Sequence, residues 1–433
     1  MEPKHFESLY PENTREKELE KLISILRAGK AAQVVGIPGV GKSNVLRLLP
    51  YNKAVRTKHL GVDEKNFHFV YMDFSEVKDR ALFEVVKFIL ISLSMSLGER
   101  GFGKDQNVLN DLLKDAITFQ DDLILFQALK RGIDYLTGEK RYSVVFLFDR
   151  FDEYIPVLDP RFFSNLKILR NRAKYSFSCV FATTRPLEDI LEPVFFSDFY
   201  EFLVGNSVYL PIFDAVGLPF RLSYLEKITG KKTRPEIKKD VMSLCGGHGK
   251  LTRVSYELLL SEKKAEDLKS FLISKNQVKG ALFEIWSALT AEEQKILREK
   301  KTTEYLENVG LVLKNNLTIP LLEEFLSDLP QTQKEELVFD AQKNEIKKGQ
   351  EILTEKLSPS EFRLLRFLII NRPRVCEKEE IIENVWTEAK TREGVTDQAL
   401  DQIIYRLRKK IENDPNNPQH IQTIKGRGYK VEQ

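Results

Sequence analysis

One short stretch, Gly36-Ile37-Pro38-Gly39-Val40-Gly41-Lys42-Ser43, constrains this chain more than any other. It has the spacing G-x-x-x-x-G-K-[ST], and its surroundings suit that spacing. Ala32 to Val35 reads as a short buried strand, and Asn44 to Leu49 carries apolar residues at helical spacing. Glycines at Gly36, Gly39 and Gly41 let the backbone curl and bring successive N–H groups onto phosphate oxygens. Lys42 would reach the outer phosphates and Ser43 would hold magnesium. Asn44 begins a helix whose positive end faces the same anion. The expectation is a nucleoside triphosphate site for ATP or ADP with Mg2+.

The residues around this loop alternate strand and helix. Phe67 to Phe74 reads as a strand, Leu82 to Leu97 as an apolar-striped helix, Asp121 to Thr137 as another helix, and Tyr142 to Phe148 as a strand buried on both faces. That alternation predicts an α/β parallel sheet with ligand groups at the strand C-termini. Asp149-Arg150-Phe151-Asp152-Glu153 follows the last apolar run. A carboxylate there can hold magnesium-bound water opposite Ser43, the task expected of Asp149. Asp152 and Glu153 are both candidates to orient or deprotonate attacking water, with the edge to Glu153. Ser178 to Arg185 reads as a further buried strand ending in Thr183-Thr184-Arg185, where a threonine or Arg185 can touch a γ-phosphate. Arg170 and Arg172, on the intervening helix, read as solvated helix residues rather than groups acting on a neighbour's nucleotide.

The other informative region is the last hundred residues. Ser358 caps a helix through Leu364, Leu365 and Leu368, Lys378 to Trp386 reads as a second helix, and Thr396 to Glu412 as a third. Ile421 to Ile424 and Tyr429 to Val431, joined at Lys425-Gly426-Arg427-Gly428, read as a hairpin. Three helices and a hairpin make a winged helix-turn-helix, and its end is locally basic. Gln398, Gln402, Tyr405, Arg406 and Lys409 lie opposite the apolar stripe of the third helix, where side chains would enter a major groove. Lys425 and Arg427 belong to the turn, with Arg427 suited to a minor groove, and Thr423 and Tyr429 are expected to donate to phosphates.

Composition bounds the rest. A chain of 433 residues exceeds what one core organises, and 42% hydrophobic with 30% charged residues is ordinary globular composition. The net charge of only +3 means any nucleic-acid surface is local. Cys179, Cys245 and Cys376 are too few and too scattered for a disulfide framework or zinc site, which favours a reducing compartment. Met1 to Tyr10 lacks the apolar core of a signal peptide, and Val85 to Leu97 is too short to span a bilayer. The expected location is cytoplasmic and nucleoid-associated, with double-stranded DNA as partner and no membrane. A homo-oligomer and an unknown signal ligand or protein stay open.

Together, the phosphate loop, the acidic strand end and the Thr-Thr-Arg strand resemble the STAND class of signal-transduction ATPases, closest to its NACHT-like branch. The resemblance implies that Arg15 lies near the base or a hinge. It implies too that Cys245-Gly246-Gly247-His248-Gly249 opens a lid helix, with Gly249 where that class has proline. Arg253 stands where origin-recognition-type ATPases place a lid arginine, so His248 and Arg253 are candidates to contact phosphate. Leu282 to Ile319, with Thr290 as an N-cap, resembles the small winged helix that follows such a lid, though a plain helical bundle fits the pattern too. LSPSEFRLLRFL, ALDQIIYRLRKKIE and IQTIKGRGYKV resemble the OmpR/PhoB-type DNA-binding domain, whose usual phosphorylatable receiver is replaced here by the ATPase pattern.

The expected fold is therefore multidomain α/β plus α+β. It comprises a phosphate-loop ATPase with a parallel sheet (1–205), a helical lid (206–275), a small winged-helix-like domain (276–330) and a C-terminal winged helix-turn-helix (331–433). The expected function is an ATP-dependent DNA-binding transcriptional regulator with slow hydrolysis. A DNA-loading or remodelling ATPase of replication or transposition type, and a STAND-like antiphage defence sensor, are the alternatives.

Overall fold

The computed structural model describes residues 5–431 except 120, 198, 262–266, 329–335, 350, 387–395, 413, 414, 416, 417, 425 and 426. The chain divides into two compact units, Met1–Asp328 and Leu329–Gln433.

The first unit is built on five parallel strands: β1 (Ala32–Val35), β2 (Phe67–Asp73), β3 (Ser143–Asp149), β4 (Phe177–Thr183) and β5 (Ser207–Tyr209). Their order is β2-β3-β4-β1-β5. β4 is buried at every residue and β3 at all but its first, because helices cover both faces and leave no room for polar alternation. Strand β5 lies just beyond 205, so the sheet takes in residues assigned above to the lid. A helix at Gly103–Phe119, not anticipated above, packs beside Leu82–Glu99. Behind the carboxyl edge of β3 and β4 sits an aromatic cluster containing Phe74, Phe148, Phe151, Phe162 and Phe181. Its dense packing makes a stiff floor for whatever the edge carries.

After β5 the chain is helical through Gly217–Thr229, Pro235–Leu244 and Gly249–Ser261. Asn276–Ser287 and Ala291–Arg298 follow as separate helices. The second starts at a capping box in which Thr290 and Glu293 satisfy each other's backbone N–H groups. A two-stranded hairpin, β6 (Val312–Leu313) with β7 (Asn316–Leu317), precedes the helix Pro320–Asp328. None of the described helices is long and apolar enough to cross a membrane.

The second unit opens with antiparallel β8 (Leu337–Asp340), β9 (Glu345–Lys348) and β10 (Glu351–Ile352). The helices Pro359–Ile370, Lys378–Val385 and Asp397–Ile411 follow. A small sheet of β11 (Cys376–Glu377), β13 (Gly428–Val431) and β12 (Ile421–Ile424) closes the unit. Leu364, Leu368, Ile381, Leu400, Ile404, Leu407 and Val431 share one buried cluster, as the helical spacing requires. Ser358 and Glu361 form the second capping box, and Glu361 also pairs with Lys410 at 2.6 Å, fixing the first helix to the third.

Candidate nucleotide site and nucleic-acid interface

Strand order decides which residues meet. Because β4 lies between β1 and β3, the loop after β1, the Thr183-Thr184-Arg185 end of β4 and the acidic end of β3 share one carboxyl edge. The Gly36 N–H donates to the Thr183 carbonyl at 3.2 Å, joining the first two.

Gly41 is left-handed, and the helix Lys42–Tyr51 starts directly after it. Lys42 folds back so that its ammonium donates to the carbonyls of Gly36 and Ile37. Burial pushes its pKa down, while Asp152 and Asp149 pull it back up. Ser43 and Asn44 occupy the first turn, both half-buried. The loop is gripped from behind by the start of Gly249–Ser261. His248 Nδ1 accepts from the Leu251 N–H at 3.2 Å, so Nε2 carries the proton and donates to the Pro38 carbonyl at 2.7 Å. A Cβ on Gly39, whose φ is +78°, would stand 2.7 Å from the His248 ring. Only glycine admits that approach. The structure thus places His248 against the loop's carbonyls. Arg253 points along its own helix to Glu257 at 2.9 Å.

Asp149 is 1% exposed and has both oxygens engaged. Its Oδ2 accepts from the Tyr71 hydroxyl at 2.6 Å, and its Oδ1 from the Arg150 N–H at 3.0 Å. Asp152 and Glu153 part company. Asp152 accepts from the Thr184 N–H at 2.8 Å and the Thr184 hydroxyl at 2.9 Å, which binds the end of β3 to that of β4. Burial raises the Asp152 pKa, opposed by Lys42 and the two Thr184 bonds. Glu153 is 41% exposed and faces Arg150 at 3.9 Å. Sequence gave the edge to Glu153; the structure turns Asp152 inward to Thr184, because the turn Phe151–Glu153 buries Phe151, and from there its charge acts on the Lys42 ammonium.

Arg185 does not lie free at the edge. Its guanidinium meets both oxygens of Glu293, with Nη1 3.0 Å from Oε1, and stacks on the Tyr305 ring at 4.3 Å. The Tyr305 hydroxyl donates to the Thr184 carbonyl at 2.7 Å. Arg170 is held by the Gly29 carbonyl and Arg172 by Asp134.

Beside the loop a cleft is lined by Tyr10, Thr14, Arg15, Asn44, Leu218 and Arg221, among others. Arg15 spans its floor, donating to the carbonyls of Pro211 at 2.7 Å and Val40 at 3.2 Å, with Asp214 at 3.5 Å. Thr14 Oγ1 is buried there without a hydrogen-bond partner among the described residues, a feature that fits a polar ligand. The donor set at the sheet edge fits Mg2+: a serine hydroxyl and one carboxylate are hard oxygen ligands, and this ion takes its remaining partners from phosphates and water. Among the described residues no group of three or more His, Cys, Asp or Glu could hold a metal alone.

Tyr71, Tyr305 and Tyr10 went unnoticed in the sequence, and Glu293 was seen only as a capping partner of Thr290. Tyr71 left one faint signal, two residues before Asp73 on the same strand face. The others are joined to the site by contacts between distant segments, which no local pattern encodes.

In the second unit, Gln398, Gln402, Tyr405, Arg406 and Lys409 are all exposed on Asp397–Ile411, and Lys409 lies over the Tyr405 ring at 4.7 Å. Arg408 turns inward instead, donating to the Ile421 carbonyl at 2.7 Å and the Thr423 hydroxyl at 2.8 Å. Tyr429 is buried and its hydroxyl donates to Asp401 at 2.6 Å, so the residue expected to donate to phosphate is committed to the helix. Arg427 is exposed. Lys425 lies outside the described residues.

Residues 351–431 match the family model described as transcriptional regulatory protein, C terminal. The sensory transduction protein RegX3 of Mycolicibacterium smegmatis is 43% identical over 72 residues, 17% of this chain and 30% of that protein. Protein PetR of Rhodobacter capsulatus is 34% identical over 95 residues, 22% of this chain and 39% of that one. The chain thus spans about a third of the length of these curated relatives. Among solved structures, the Walker-type ATPase PABY2304 of Pyrococcus abyssi aligns with 72% of this chain and 95% of its own, at 15% identity and a TM-score of 0.48. The Aeropyrum pernix ORC1 protein, solved in complex with DNA, aligns with 91% and 83% at 14% identity and a TM-score of 0.35. In sequence after a parallel-sheet core with a phosphate-loop sequence, residues 351–431 resemble the C-terminal winged-helix DNA-binding domain of transcriptional regulatory proteins.

Proposed function

We propose that this protein is an ATP-dependent DNA-binding transcriptional regulator, a STAND-like switch of NACHT-like type. In it the bound nucleotide sets how residues 206–328 pack on the sheet edge. ATP or ADP would lie on the loop Gly36–Ser43 with its base side in the Tyr10–Arg15 cleft, and Mg2+ would be held at Ser43 and Asp149. Asp152 is the group best placed to act on an attacking water, and hydrolysis would be slow and reset the switch. A homo-oligomer and a signal ligand belong to the same reading.

The observation that supports it is the chain of contacts leaving the phosphate edge. Asp152, whose charge acts on Lys42, holds Thr184, Thr184 is held by Tyr305, and the next residue, Arg185, is held by Glu293. Any ligand that attracts Arg185 must compete with Glu293, and through that difference it can bias packing. A near-complete switch needs about 5.5 kcal/mol of differential binding.

The test is binding to a pool of genomic DNA fragments with ATP, with ADP and without nucleotide, at one salt concentration because phosphate contacts make affinity steeply salt-dependent. Distinct affinities or fragment sets in the three states are expected, and Lys42→Ala should abolish the difference. Identical binding in all three, with nucleotide binding intact, would remove the switch from the reading.

A further inference from the structure

The hydroxyl of Tyr71 stands 2.6 Å from Asp149, the carboxylate at the end of the neighbouring strand. β2 and β3 run parallel with Asp73 opposite Asp149, so Tyr71 sits two residues back on the face that carries Asp149. Its ring is not free to swing. The Arg47 guanidinium lies 5.4 Å from the ring centroid, and Arg47 pairs with Glu7 at 3.2 Å. Arg47 belongs to Lys42–Tyr51, the helix that begins with Lys42 and Ser43. The phenol therefore bridges the helix carrying the phosphate loop and the acid expected to face it.

We propose that Tyr71 is a positioning residue for Mg2+ at this site, holding the Asp149 carboxylate in the rotamer that faces Ser43 and the phosphates. This rests on the nucleotide reading above. Asp149 has two donors, the Arg150 N–H on Oδ1 and the Tyr71 hydroxyl on Oδ2. The backbone donor follows Asp149 itself, being on the next residue. Among the described residues, Tyr71 alone ties the carboxylate to another element. Each oxygen keeps a second lone pair for a metal-bound water. Removing the phenol hydroxyl leaves Asp149 buried, with one oxygen unpaired and the carboxylate held by the Arg150 N–H. Loss of an outer partner of this kind costs roughly 10–100-fold in metal affinity.

The test uses the full chain and a ribose-labelled fluorescent ATP, titrated with Mg2+ and separately in excess chelator. Tyr71→Phe should raise the Mg2+ concentration for half-maximal binding roughly tenfold or more, with metal-free nucleotide affinity unchanged. Tyr51→Phe, which removes a phenol hydroxyl from the same Arg47 cluster, should change neither. An unshifted Mg2+ requirement in Tyr71→Phe overturns the proposal. Equal weakening with and without Mg2+ overturns it too, since that is the mark of a purely structural tyrosine. If the unmodified chain binds the nucleotide with no Mg2+ dependence at all, the reading of the site itself fails.

Discussion

Arg185 and Glu293 lie 108 residues apart in sequence and meet as a two-pronged ion pair, with side chains only 14% and 8% exposed. The planar guanidinium is pre-shaped for a carboxylate, and stacking on Tyr305 shields the pair from water. Glu293 serves twice, because its Oε2 also accepts the Thr290 N–H at 2.9 Å at the start of Ala291–Arg298. Glu293→Gln keeps an oxygen for that cap and removes the charge. It should destabilise the chain by about 1–3 kcal/mol, seen in urea unfolding. On the switch reading it should also strengthen ATP binding relative to ADP, by freeing Arg185. A double-mutant cycle with Arg185→Met isolates the pair, and zero coupling would show that each side chain acts alone.

Asp152 and Glu153 are neighbours with opposite surroundings. The first is held by Thr184 beside Lys42, and the second reaches toward solvent and Arg150. Asp152→Asn should reduce ATP turnover by roughly 10²–10⁴-fold if the carboxylate serves as general base. Glu153→Gln should leave turnover near the parent's. Single-turnover assays with saturating nucleotide separate this from weaker binding. The reverse ranking would restore the preference drawn from sequence.

His248 gives the fold a pH dependence whose sign can be worked out. Burial lowers its pKa to about 4, against 6.5 for the free side chain. Between those values the unfolded chain binds a proton that the folded chain refuses, so stability is full above pH 6.5 and falls as pH drops toward 4. From pH 7.5 to pH 5 the loss attributable to His248 is about 2 kcal/mol. His68, lowered to about 3 by burial, acts in the same direction, and Asp152, raised by burial, acts in the opposite one. Comparing the parent with His248→Gln cancels both. The parent's advantage at pH 7.5 should shrink by that amount at pH 5, measured by urea unfolding at each pH. A constant difference would mean that the imidazole is not kept neutral against Pro38.

The sequence carried the local parts of this fold well. A loop with its own spacing, strands buried on both faces and the capping boxes at Ser358 and Thr290 are written in consecutive residues. Strand order is not, yet it is what sets the end of β4, with Thr184 bonded to Asp152, between the ends of β1 and β3. The inward turn of Arg408 and Tyr429 was hidden for a related reason. Spacing assigns a residue to a helix face or a strand, but whether a basic or phenolic side chain bonds to its own domain depends on what the tertiary fold places opposite it. Asp401 opposite Tyr429 and the Ile421 carbonyl opposite Arg408 are such partners.

That division among basic and aromatic residues predicts how DNA binding responds to substitution. Gln402 and Arg406 are exposed on the helix face lined with Tyr405, so Arg406→Ala and Gln402→Ala should relax sequence preference by roughly 1–3 kcal/mol at the positions they read. Lys409 and Arg427, exposed point charges, should instead weaken all sequences alike and reduce the salt slope by about one when replaced by alanine. Tyr429→Phe should leave affinity unchanged, because its hydroxyl is spent on Asp401 rather than offered to phosphate. Arg408→Met is expected to act through stability, since it frees β12 from the third helix. Titrations at two salt concentrations with one chosen fragment and one scrambled fragment separate these classes. A loss of affinity in Tyr429→Phe with an unchanged thermal midpoint would show that the hydroxyl leaves Asp401 for the DNA backbone.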